Sequence, residues 1–143
     1  MAATNKKASR RIIEEIFGGG NYDLADELLD ARSVGHDSAF PEPVSGPDGL
    51  KGAARGYRDA FPDLELQIEE LIGEGEIVAL RWTARGTHKG ELFGIAPTGK
   101  QATVTGMTID RYEGGKVVES WTNWDTLGLL QQLGAIPTAL QTA

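Results

Sequence analysis

Hydrophobic positions follow two periods along this chain, helical in the first half and strand-like in the second. From about Asn5 to Phe17, the residues Ala8, Ile12, Ile13, Ile16 and Phe17 fall on one stripe, the spacing of an amphipathic helix that Gly18-Gly19-Gly20 would stop. Tyr22, Leu24, Ala25, Leu28 and Leu29 predict a second, shorter helix with Asn21 as its N-cap. Leu50, Ala53, Ala54, Tyr57 and Phe61 predict a third over 47–61, opened by Pro47 and stopped by Phe61-Pro62-Asp63. Between the second and third, Val34-Gly35-His36-Asp37 leads into Phe40-Pro41-Glu42-Pro43-Val44-Ser45-Gly46-Pro47, whose prolines remove donors and exclude regular structure.

The period then changes to two. Leu64, Leu66, Ile68 and Glu70 alternate with Glu65, Gln67 and Glu69, and Val78, Leu80, Trp82 and Ala84 alternate with Ala79, Arg81, Thr83 and Arg85. Each run reads as a strand with one buried face. Gly73-Glu74-Gly75-Glu76 joins these two strands, and Gly114-Gly115 joins 102–112 to 116–124. Leu127, Leu130 and Leu133 return to helical spacing before Gly134 and Pro137. Helices first and an antiparallel meander second predict an α+β domain: a curved, mainly antiparallel sheet packed against three N-terminal helices, with a short C-terminal helix. A sheet curved in this way and closed by helices leaves the concave, largely apolar space that small-molecule sites favour.

Length and charge narrow the picture. With 143 residues, one domain over 1–143 removes roughly 70% of the unfolded chain's surface from water and folds without staples. Fourteen basic against twenty-one acidic residues give a net charge of −7, the wrong sign for nucleic acid or an anionic membrane surface. Without cysteine there is no disulfide, thiol nucleophile or thiolate metal site. The N-terminal apolar run is broken by charge too early for a signal peptide, so a cytoplasmic address is expected.

The stretch from Gly114 to Asp125 delivers a carboxylate to the end of a strand, beside Trp121 and Trp124. Burial there would raise its pKa and make it a competent acid/base; the alternative role for Asp125 is N-cap of the helix beginning near Thr126. His36, beside the proline loop, is placed to donate to a substrate oxygen or act as a second acid/base, or to hydrogen bond within the loop. His88 shares the strand phase of Trp82 and Ala84, and either binds substrate or makes a structural hydrogen bond. Two isolated histidines do not make a metal site. Trp82, Trp121, Trp124 and Met107 are candidates to line the pocket of a planar ligand, or else ordinary core or interface packing. If Asp125 continues the strand, Trp121 and Asn123 share its face and Trp124 points away.

Three segments carry a resemblance: Arg85 to Lys100 with Gly90-Glu91-Leu92-Phe93-Gly94-Ile95-Ala96-Pro97; Gly106 to Val117; and Glu119-Ser120-Trp121-Thr122-Asn123-Trp124-Asp125 followed by Leu127-Gly128-Leu129-Leu130-Gln131-Gln132-Leu133-Gly134. Together with the helix order they resemble the SnoaL-like polyketide (ester) cyclases, a branch of the cone-shaped α+β fold shared with ketosteroid isomerase. The resemblance implies a cofactor-independent enzyme of antibiotic biosynthesis that closes a ring by intramolecular aldol condensation. In that scheme Asp125 is acid/base, and His36, Trp121 and Asn123 position the substrate. It also implies a homodimer formed through the outer face of the sheet, with Arg81, Thr83 and Arg85 in the surface. Where family cyclases carry a histidine and a glutamine on the strand before the catalytic one, this chain offers Thr105, Met107, Thr108, Ile109 and Asp110. Another reaction in the same cone (isomerisation, dehydration, epoxide hydrolysis, hydroxylation) and a non-catalytic small-molecule-binding dimer are the alternative functions.

Overall fold

A computed structural model of the chain describes residues 2–137. The N-terminal stripe forms α1 (Ala2–Arg11), which runs on into a π-helical turn over Ile12–Phe17. Gly18 N closes that turn on Ile13 O at 2.9 Å. Helix α2 (Leu24–Leu28) is shorter than its apolar pattern predicts, and Asn21 is not its side-chain cap. Asp23 holds the cap position without a side-chain bond, and Asn21 contributes only its carbonyl, to Leu24 N. Helix α3 (Gly46–Ala60) follows the expected bounds within one residue.

The strands are β1 (Leu29–Asp37), β2 (Val44–Ser45), β3 (Glu65–Glu74), β4 (Ile77–Thr87), β5 (Gln101–Glu113) and β6 (Lys116–Trp124), and α4 (Thr126–Gln132) closes the described chain. One sheet contains all six strands in the order β2-β1-β6-β5-β4-β3. The β3 to β6 meander is antiparallel as its alternation predicts, whereas β1 returns beside β6 in parallel. Strand β1 carries no period-two signal, and its partner lies some eighty residues away, so nothing local announced it. Gly114 (φ 60°) and Gly115 (φ 82°) make the two-residue turn between β5 and β6 at left-handed angles that glycine adopts freely.

All the long helices lie on one face. Helix α1 packs over β3 and β4, and α3 over β1. At one end the core is solid: Ile16, Ala25, Ala54, Val78 and Tyr112 have no exposed surface. At the other end the sheet and helices diverge, and Phe61, Leu92, Leu129 and Leu133 form a separate cluster beneath α4. Gly106 makes the space between them possible. The Trp82 ring lies against its backbone, where a Cβ would collide with that ring and with the Trp124 Cβ.

Candidate active site

The opening encloses a cavity of about 140 Å³. Ile12, Ile13, Phe17 and Phe61 line its helical wall, and Leu66, Trp82, Ala84, Val104 and Trp124 line its sheet wall. Few polar groups enter it. Alternation on β5 sends Ala102, Val104, Gly106, Thr108, Asp110 and Tyr112 inward, and β6 sends Ser120, Thr122 and Trp124 inward. From β1, Asp37 enters opposite Thr122.

Asp110 is the buried acid of this cavity, at 5% exposure. Ser9 Oγ donates to its Oδ2 at 2.7 Å, and Ser9 Oγ lies 2.6 Å from Tyr112 Oη. Burial, with the Asp110 charge beside it, pushes the Tyr112 phenol well above its ordinary value. Tyr112 therefore stays protonated and donates to Ser9, which passes its own proton toward Asp110. Oδ1 has no protein partner among the described residues. Desolvation pushes the Asp110 carboxyl up to about 6, against the pull of the Ser9 hydrogen bond. An acid that titrates there, with one oxygen uncommitted, can both take and return a proton near neutral pH.

Asp37 sits nearer the mouth and is engaged on both oxygens. Oδ1 accepts from Trp124 Nε1 at 3.0 Å and from Ala39 N at 2.8 Å, and Oδ2 accepts from Tyr57 Oη at 3.1 Å. Burial, then the neighbouring carboxylate, raises the Tyr57 phenol far out of its normal range, so it remains a donor. The carboxylate thereby fixes the two rings at the cavity entrance. Between the acids runs a hydroxyl chain in which Trp82 Nε1 donates to Thr108 Oγ1 at 3.1 Å, and Thr108 Oγ1 lies 3.0 Å from Thr122 Oγ1.

Most of the residues singled out in the sequence fall elsewhere. Trp82 and Trp124 line the cavity. Asp125 does not: it is exposed at the N-cap of α4, where its Oδ1 accepts from Gly128 N at 2.8 Å. Its backbone (φ −75°, ψ 72°) has already left the strand, so it does not continue the face of Trp121 and Asn123. Trp121, Asn123 and Met107 lie on the outer face, Met107 at 60% exposure, while Trp124 points inward. His36 is also on the outer face, with Nε2 2.8 Å from Glu119 Oε2 and its ring stacked on Trp121 at 5.8 Å. His88 is buried behind Phe61. Its Nδ1 accepts from Thr98 N at 3.2 Å, and the ring lies 5.5 Å from Phe61. The structure thus assembles Asp37, Asp110, Thr108 and Thr122, none of which the sequence reading placed in the site. Asp110 had one usable signal, an acid in phase with Val104, Gly106 and Thr108 on a strand whose other face is exposed. Among the described residues, no three His, Cys, Asp or Glu side chains converge as a metal site requires, and no helix is long and apolar enough to cross a membrane.

Comparison with known proteins agrees with this architecture. The aklanonic acid methyl ester cyclase DnrD of Streptomyces peucetius is 29% identical over 131 residues, 87% of each chain. The structure of TsrD from Streptomyces laurentii superposes with a TM-score of 0.83 at 26% identity, over 94% of this chain and 97% of that one. A protein of ketosteroid isomerase-like fold from Catenulispora acidiphila shares the fold alone, with a TM-score of 0.76 at 16% identity, over 94% of this chain and 97% of its own. The sequence profile described as SnoaL-like polyketide cyclase matches residues 7–133. With nearly its whole length inside that profile, the chain belongs to the SnoaL-like polyketide cyclase family.

Proposed function

We propose that the protein closes a ring in a hydrophobic, carbonyl-bearing small molecule by a cofactor-independent intramolecular aldol condensation, with Asp110 as the acid/base. The observation that carries this reading is a buried carboxyl, titrating near 6, with one free oxygen in an otherwise apolar cavity. In the reaction, Asp110 Oδ1 takes a proton from the carbon beside one carbonyl, and the electron pair moves onto that carbonyl as an enolate. The enolate carbon then bonds to a second carbonyl carbon, and the alkoxide formed takes the proton back from Asp110. Substrate and product are isomers, so no oxidant or further reactant is required. If Trp82 donates to Thr108 and Thr108 to Thr122, the Thr122 hydroxyl proton is left to meet the enolate oxygen.

On this reading Asp125 is a cap, and the two acids are separable by experiment. With aklanonic acid methyl ester, the substrate named in the DnrD relative, as the first compound, Asp110→Asn is expected to lower kcat by about 10²- to 10⁴-fold. Asp125→Asn should stay within about threefold, because asparagine caps a helix as well as aspartate. Unchanged turnover in a folded Asp110→Asn protein would remove Asp110 from the mechanism.

We also infer that two copies pair through the outer face of the sheet, where Met107, Ile109 and Trp121 are exposed together. On that face Arg81 and Thr83 are held by Glu70 and Glu69. A monomeric mass at micromolar concentration would contradict the pairing.

A further inference from the structure

Two loops meet above Asp37. One is the proline-rich segment after β1, which brings Phe40; the other joins β4 to β5 and brings Phe93. Their rings lie 6.1 Å apart, and each reaches the cavity entrance: Phe40 is 6.0 Å from Tyr57, and Phe93 is 6.4 Å from Tyr57 and 6.5 Å from Trp124. Tyr57 and Trp124 are themselves 5.8 Å apart, edge to face. Four aromatic rings therefore run without interruption from the cavity wall to the surface.

Phe93 occupies an unfavourable place for a phenylalanine. Leu92 and Ile95 exchange both backbone hydrogen bonds, at 3.1 and 2.8 Å, and the two residues between them have positive φ, 50° at Phe93 and 79° at Gly94. This is the type I′ pattern, in which asparagine, aspartate or glycine is the ordinary first residue, because a side chain with a full Cβ resists left-handed backbone. Phe93 is the only non-glycine residue with positive φ among those described. The residue is also 43% exposed, so burial does not explain the choice.

The rest of the loop is tied down, and the ring is held where it is by a fixed frame. Lys89 N and Gly90 N both donate to Ala60 O, Gly99 N donates to His88 O, and Leu92 is buried beneath the turn. Backbone held in a costly conformation at the edge of a cavity points to a use for the side chain it displays.

We propose that Phe93 is a specificity-determining residue, forming with Phe40 an aromatic rim that binds the flat, unsaturated ring portion of the substrate and selects it over puckered, saturated rings. This rests on the reading of the cavity as the substrate site. Ring faces and edges at 4.5–7 Å attract a further flat ring beyond simple area burial. A saturated ring of the same carbon count gains only the burial.

The test uses two matched ketones, 2-acetylnaphthalene and 2-acetyldecalin, with dissociation constants measured by tryptophan fluorescence or calorimetry. Wild-type protein is expected to prefer the planar ketone, and Phe93→Leu, which keeps apolar bulk but loses the ring, should reduce that preference by about two- to tenfold. Phe93→Tyr should retain it. A loss of packing alone would weaken both ketones equally, so an unchanged ratio in Phe93→Leu overturns the proposal even if both affinities fall. Equal binding of the two ketones to wild type also overturns it. Asp110→Asn should keep the planar preference while losing turnover, which separates failure of this inference from failure of the proposed chemistry. If neither ketone binds wild type, the rim and the cavity reading fall together.

Discussion

The two faces of the β5–β6 hairpin have opposite characters although their residues alternate in sequence. Inward lie Thr108, Asp110, Ser120, Thr122 and Trp124, which line the cavity; outward lie Met107, Ile109, Trp121 and Asn123, which are exposed. One residue of parity separates a carboxyl pushed up to about 6 from a thioether in solvent. Because the side-chain period of a strand is two, an Asp125 that continued β6 would share the outer face with Trp121 and Asn123 and would still miss the cavity. Only a reading that points 125 inward exchanges the two faces.

The contrast between the faces can be broken or sharpened by substitution. The largest effect expected on stability is the pH response of Asp110. Its carboxyl titrates near 6 in the folded protein against 3.8 ordinarily, so the folded state holds the proton more tightly. The stability this group contributes is complete below about pH 3.8 and is lost as pH rises through about 6, amounting to about 3 kcal/mol. Asp110→Asn has no such loss. Urea unfolding should therefore show the variant gaining about 2 kcal/mol on wild type between pH 4 and pH 7, while effects of the other carboxylates cancel in the difference. A constant difference would mean that Asp110 titrates normally.

Gly106→Ala comes next. The added Cβ meets the Trp82 ring and the Trp124 Cβ, and overpacking of this kind costs about 1–3 kcal/mol. Because both tryptophans line the cavity, ligand affinity should fall with stability. At the strand end, Asp125→Ala removes the hydrogen bond to Gly128 N and should cost about 1 kcal/mol, leaving turnover intact. Smallest of all, Met107→Ser on the outer face should change the unfolding free energy of the isolated chain by no more than about 0.5 kcal/mol, and its visible effect should be on association between copies, read from sedimentation.

Much of the architecture was written in local pattern. The stripes of α1 and α3, the alternation of β3 and β4, and the glycine turn at 114–115 each follow from neighbours in sequence; α3 is found within one residue, whereas α1 begins three residues ahead of its stripe and β3 runs four beyond its alternation. Strand β1 was not legible. Its Leu29-Asp30-Ala31-Arg32-Ser33-Val34-Gly35-His36-Asp37 lacks alternation and pairs with β6 more than eighty residues away, with a register irregularity between Leu29 and Val34. Missing β1 also hid Asp37, since its direction is set by that parallel pairing. The conspicuous carboxylate of the Trp121 to Asp125 stretch is exposed, whereas the buried acid, Asp110, lies fifteen residues earlier. Nothing local distinguishes Asp110 from a surface aspartate except its phase on β5. The relay from Tyr112 through Ser9 joins residues about a hundred positions apart, which only the fold brings together.

The assignment of Asp110 as acid/base is tested most directly by the pH dependence of kcat/KM in wild type and in Asp110→Asn. As a base, Asp110 must lose its proton to act, so wild-type kcat/KM should rise with pH through a limb near 6, the free enzyme's value. The residual rate of Asp110→Asn should show no such limb. A limb near 6 that survives in the variant would belong to another group and would contradict the account.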